Sequence, residues 1–144
     1  MILLPRKILR IPIHFIWMSL LLLSCSVAQA TFVQVSQISS PVGYVSQSEA
    51  VAPGTAYQTI QPNLTSSGYT FGYWSVGGNR LTDSDGRSIT QGKITVNAAT
   101  TLTAHYFFST ADTDTDGLLD WFEYRNFGNL DQNASSDSDA DGFT

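Results

Sequence analysis

Hydrophobic and polar positions divide the chain into three stretches with different patterns. From Phe15 to Leu23 there is no alternation: Phe15, Ile16, Trp17, Met18, Ser19, Leu20, Leu21, Leu22 and Leu23 form an apolar run without a polar face. From Phe32 to Ile38 apolar and polar residues alternate, which predicts a half-buried strand. Tyr69 to Trp74 predicts a second strand, with Tyr69, Phe71 and Tyr73 on one face and Trp74 on the other. Ser88-Ile89-Thr90, Lys93 to Val96 and Thr101 to Phe108 predict three more, and in the last of these Leu102, Ala104 and Tyr106 share a face. Gly77-Gly78-Asn79 and Asp83-Ser84-Asp85-Gly86 carry turn chemistry, because Gly and Asn tolerate positive φ and Asp bonds to its own backbone. In the third stretch Leu118, Leu119, Trp121, Phe122, Tyr124 and Phe127 predict a short helix over about 119–127, with Gly128 as its stop. The expected fold class is therefore mainly β: a small module over residues 31–108, then a loop-and-helix tail over residues 109–144.

The first stretch changes the picture of where the protein works. Arg6, Lys7 and Arg10 precede the apolar run, and small residues follow it up to Ala28-Gln29-Ala30. This is the layout of a secretory signal peptide over residues 1–30. The run is too short to span a bilayer comfortably, which takes roughly 20 apolar residues. Two cleavage patterns compete. Ala28 and Ala30 form the better one, while Leu22-Leu23-Ser24-Cys25 is similar to a bacterial lipoprotein box and would leave a lipid anchor on Cys25. Cleavage after Ala30 removes the single cysteine, so neither disulfides nor cysteine-bound metals would support the mature chain. The expectation is a secreted or cell-surface protein with no transmembrane segment in its mature form.

Charge sharpens this. The signal segment holds three of the seven basic residues and none of the twelve acidic ones, leaving Arg80, Arg87, Lys93 and Arg125 and a net charge of −8. Binding to nucleic acid or an anionic membrane needs clustered Lys and Arg, so neither is an expected partner; an extracellular protein or polysaccharide is. Nine of the twelve carboxylates fall between Asp112 and Asp141, which separates a nearly neutral body from an acidic tail.

The body offers no pair of residues that catalysis would need. His105 has no second His or Cys in the mature chain with which to ligate a metal, and no Gly-x-Ser-x-Gly elbow exposes a serine. Asp83 and Asp85 before Gly86 fit a solvated turn better than a catalytic carboxylate pair. Gly68-Tyr69-Thr70-Phe71 followed by Trp74, and then Thr101-Leu102-Thr103-Ala104-His105-Tyr106, resemble the two motifs of the InlB B-repeat group of bacterial surface repeats. That resemblance covers roughly residues 31–107. It implies a small β-grasp-like module in a secreted or surface protein, and no catalytic residues.

The tail carries the one chemically specific pattern. A calcium ion takes six to eight oxygens, and a twelve-residue loop supplies them from positions 1, 3, 5, 7, 9 and 12 with Gly at position 6. From Asp112 those positions hold Asp112, Asp114, Asp116, Leu118 through its carbonyl, Asp120 through a water, and Glu123, with Gly117 at the turn. Asp, Thr and Gly runs also make solvated linkers, but a linker has no reason to carry Glu at position 12 or an aromatic cluster after it. Mg²⁺ is the poorer occupant because it prefers six tight ligands and keeps its waters.

The pattern begins again at Asp137, Asp139, Asp141 and Gly142 and stops with the chain, so the expectation is an N-terminal fragment, or a truncated reading frame, of a longer repeat protein. The tail is similar to thrombospondin type 3 calcium-binding repeats and to the loop-helix units of dockerins. The function this points to is a non-enzymatic secreted or surface protein with a calcium-stabilised repeat spacer, in an adhesion, structural or interaction role. The alternatives are the accessory front end of a secreted hydrolase and a dockerin-like protein-binding module.

Overall fold

A computed structural model describes residues 30–135. The signal segment up to Gln29, and with it both cleavage patterns except Ala30, lies outside the described residues, as do Asp137, Asp139 and Asp141. The order of elements is β1 (Val33–Ser40), β2 (Ser46–Val51), β3 (Thr55–Gln58), β4 (Thr65–Ser66), β5 (Tyr69–Val76), β6 (Asn79–Arg80), β7 (Lys93–Val96), β8 (Thr100–Phe108) and α1 (Asp120–Asn126). The fold is mainly β, as expected, and its main sheet curls into a half-barrel.

That sheet runs β2-β1-β8-β5-β4, with β6 also on β5, and β3 pairs with β7 in a separate ribbon. The long strands β1 and β8 are parallel, with Val35 opposite Thr100 and Ser40 opposite His105, whereas β2 on β1 and β5 on β8 are antiparallel. Two tight turns set the register around β5. Ser67 and Gly68, at φ +50° and +82°, join β4 to β5; Gly77 and Gly78, at +55° and +82°, join β5 to β6. Two consecutive positive φ values match the right-handed twist of the flanking strands.

The core lies on the concave side. Val35, Phe71, Trp74, Leu102 and Ala104 are fully buried, and Tyr57, Val96 and Tyr106 close around them. Leu102, Ala104 and Tyr106 do share the inward face of β8. The alternation predicted for β5 is overturned. Phe71 and Trp74 both point into the core, with ring centroids 6.0 Å apart, while Tyr73 faces outward and stacks on His105 at 4.3 Å. The cause is a bulge at Gly72: Phe71 sits opposite Tyr106 and Tyr73 opposite His105, so one residue is left over and the faces exchange. A β-carbon at Gly72 would lie 2.5 Å from the Phe107 ring, which is why glycine stands there.

Strand β1 forms where predicted, but it buries the fully enclosed Gln37 and Ser39, and Ile38 is exposed. Gln37 is satisfied: its amide donates to the Tyr57 hydroxyl at 3.0 Å and its carbonyl oxygen accepts the Ile60 N–H at 2.9 Å. Ser88-Ile89-Thr90 is not a strand; only a single bridge joins Thr82 to Ser88. Among the described residues no helix is long and apolar enough to cross a membrane.

Candidate metal centre

Only three residues separate the end of β8 from Asp112, and they are fixed. The Ser109 N–H donates to the Gly68 carbonyl at 2.8 Å, the Ser109 and Thr70 hydroxyls are 2.8 Å apart, and the Ala111 N–H donates to the Phe108 carbonyl at 3.0 Å. The segment from Asp112 therefore starts from an anchored point. Its two ends are tied as well, since the Asp120 N–H donates to the Ala111 carbonyl at 2.9 Å.

Within this closed loop the aspartates organise the backbone. Asp112 accepts the N–H groups of Asp116 at 3.2 Å and Gly117 at 3.1 Å, one on each carboxylate oxygen. Asp116 Oδ1 accepts the Leu118 N–H at 2.8 Å. The turn needs positive φ twice: Gly117 supplies +97° without steric cost, and Thr115 adopts +62°, an uncommon conformation for a β-branched residue. Carboxylate oxygens of Asp112, Asp114 and Asp116 lie within 4.8 Å of one another. Two oxygens on one calcium ion, each at about 2.3 to 2.6 Å, can be no more than about 5 Å apart, so the spacing suits a shared ion.

Helix α1 carries the other two carboxylates of the pattern, Asp120 and Glu123, which lie outside the group of three. It starts at Asp120 without a side-chain cap, its first turn closing on the Leu119 carbonyl through the N–H groups of Phe122 and Glu123. It stops at Gly128, where φ is +88° and the Phe127 and Gly128 N–H groups share the Glu123 carbonyl. Helix and stop thus fall where the sequence placed them, within a residue or two at each end.

Glu123 is the residue that the rest of the site does not satisfy. Its side chain is fully buried and, among the described residues, both carboxylate oxygens lack a hydrogen-bond partner; Asp116 Oδ2 is buried and unpartnered there too. Burial, and after it the negative charges of Asp114, Asp116, Asp120 and Asp112, push the Glu123 carboxyl up to about 7. Burying a carboxylate without a partner is costly, and four like charges around it raise the cost. A divalent cation near Glu123 would reverse the repulsion. The three aspartates, whose oxygens lie within 4.8 Å of one another, fit that occupant; Glu123 is not part of that group as the structure stands.

Asp120 behaves differently from its neighbours. It is buried, and its two oxygens accept the Thr113 N–H and the Thr113 hydroxyl, each at 2.7 Å. This cross-link between loop positions 2 and 9 escapes a reading built on ligand spacing, because Thr113 is not at a ligand position. Leu118 is partly buried beside the aspartates, with its N–H taken by Asp116. Outside the loop, His105 is a packed side chain whose Nε2 lies 2.8 Å from the Ser75 hydroxyl. Asp83 caps its own turn, accepting the N–H groups of Asp85 and Arg87 on one oxygen. Comparison of the chain with protein families, with curated proteins and with solved structures yields no match.

Proposed function

We propose that residues 112–123 bind calcium as a structural ion, in a secreted or surface-attached protein that is not an enzyme. Asp112, Asp114, Asp116 and Glu123 would hold the ion with their carboxylates and Leu118 with its carbonyl, while Asp120 reaches it through a water. The supporting observation is the cluster of Asp112, Asp114 and Asp116, whose charges act on the buried carboxylate of Glu123, unpartnered among the described residues. Calcium is favoured over magnesium because a cluster of carboxylates with a bidentate closing Glu offers many oxygens at relaxed distances, whereas magnesium retains its waters.

The β body is read as a β-grasp-like module of the InlB B-repeat kind. The order β2-β1-β8-β5-β4, with its first and last long strands parallel at the centre, supports that reading. Its adhesive or structural role would be exercised through an extracellular protein or polysaccharide, and the second motif at Asp137, Asp139 and Asp141 would continue the calcium-bound series. Isothermal titration of the exported chain with calcium tests the site. Glu123→Gln should abolish the higher-affinity heat, and an unchanged isotherm in that variant would sink the assignment.

A further inference from the structure

Helix α1 does not stand apart from the β body. Its partners are aromatic side chains on the face of the sheet away from the core: Phe107 of β8, and Tyr73, which the Gly72 bulge turns outward. Tyr124 stacks on Phe107 with centroids 4.9 Å apart and planes 13° from parallel, and it lies 5.9 Å from Tyr73. Arg125, on the next position, reaches across to the bulge itself and donates to the Phe71 and Gly72 carbonyls. Its guanidinium also sits 5.1 Å from the Trp121 ring, inside the acidic loop. At the far end of the helix Arg80, from β6, donates to the Tyr124 carbonyl at 2.6 Å, and the Ser88 N–H donates to the Arg125 carbonyl at 2.7 Å. The last carbonyls of a helix have no partners within it, so these donors from the β body complete the helix end.

The same seven-residue helix carries Glu123 one position before Tyr124. An ion that fixes Glu123 therefore fixes the turn whose next two side chains grip the sheet. We propose that Arg125, with Arg80 behind it, is the positioning residue that couples the acidic loop to the sheet, so that a cation bound at Asp112, Asp114, Asp116 and Glu123 stabilises β5 and β8 and not only its own loop. This rests on the calcium reading above, and it replaces a division at residue 108 into module and spacer by one cooperative unit. Arg125 is suited to the task because a planar guanidinium can hold two carbonyls and an aromatic face together, which a lysine ammonium cannot.

The test uses the full exported chain, with calcium binding followed by titration calorimetry and sheet unfolding by the far-ultraviolet β signal. At 10 mM calcium the sheet midpoint should rise by about 5 to 15 °C in the wild type, given affinities of order 10⁻⁴ to 10⁻³ M for extracellular sites. Glu123→Gln should lose that rise. Arg125→Met, which keeps the apolar stem, should still bind calcium but transmit at most a third of the rise to the sheet. Calcium binding in the wild type with no change in the sheet midpoint would overturn the coupling and leave the calcium site standing; no calcium binding would overturn both. Should Arg125→Met fail to fold, hydrogen exchange on the wild type decides. Calcium should slow exchange of the Tyr73, Trp74, His105 and Phe107 amides, and protection confined to residues 112–127 would refute the coupling.

Discussion

Glu123 and Asp120 are both acidic, both buried and three residues apart, yet they stand in opposite situations. Asp120 is satisfied by Thr113, and Glu123 by nothing among the described residues. Replacing Glu123 with Gln should therefore have two opposite effects. Without calcium at pH 8 the variant should be more stable than the wild type by about 1 kcal/mol, because a buried charge among like charges has gone. With calcium the order should invert. Thermal unfolding in chelator and in 10 mM calcium checks both signs, and Asp120→Asn should weaken calcium binding less than Glu123→Gln does. The clustering of Asp112, Asp114 and Asp116 was legible from their spacing, with Gly117 and Glu123 at fixed offsets from them. The burial of Glu123 was not, because it depends on where α1 docks, against strands that end at Phe108 or earlier.

His105 is a second residue whose setting has a measurable consequence. Burial against Tyr73 lowers its pKa below the usual histidine value. The unfolded chain, with an ordinary pKa of about 6.5, then takes up a proton before the folded one does. The stability His105 contributes is complete above that value and is lost as pH falls through it. The advantage of wild type over His105→Gln should shrink between pH 7.5 and pH 5.5 in calcium-saturated buffer; an unchanged difference would show that the histidine is not held neutral.

At the scale of elements, the strands were read from period-two alternation, and that succeeded for β8 and β7 and for the extent of β1. It failed on which side of β5 each aromatic lies. Alternation assumes an unbroken ladder, and Gly72 inserts one residue that moves Trp74 to the same face as Phe71. The glycine inside an aromatic run was the available signal, since isolated strand glycines mark bulges. Gly72→Ala should be destabilising by about 1 to 3 kcal/mol, because the new methyl meets a Phe107 ring already stacked against Tyr124. Urea unfolding of the variant measures this, and a neutral effect would mean that Phe107 can move aside. On β1 the expected apolar face gave way to Gln37, whose burial is tolerated because Tyr57, on β3 of the separate ribbon, and Ile60, just past that strand, supply partners. No pattern within β1 could have announced those partners.

For the whole molecule, the sequence divides where the carboxylates begin, but the folded chain is tied across that boundary by Ser109, Arg80, Ser88 and Arg125. Composition can separate a neutral body from an acidic tail; it cannot say whether four scattered arginines and serines join them. The mainly β class was legible because residues 31–108 are rich in Thr, Val, Ser, Tyr and Gly and the turns are marked by Gly-Gly and Asp-Gly. The exported form is expected to begin at Thr31, and its intact mass distinguishes this from a lipid-bearing Cys25. The proposed stability of the whole molecule depends on the ion. Its most direct test is calcium titration of the mature chain, reading Trp121 fluorescence against a Trp121→Phe control. A saturable change at millimolar calcium or below, absent in Glu123→Gln and not reproduced by equal magnesium, is the expected result; a wild-type signal that stays flat through 10 mM calcium would contradict the account.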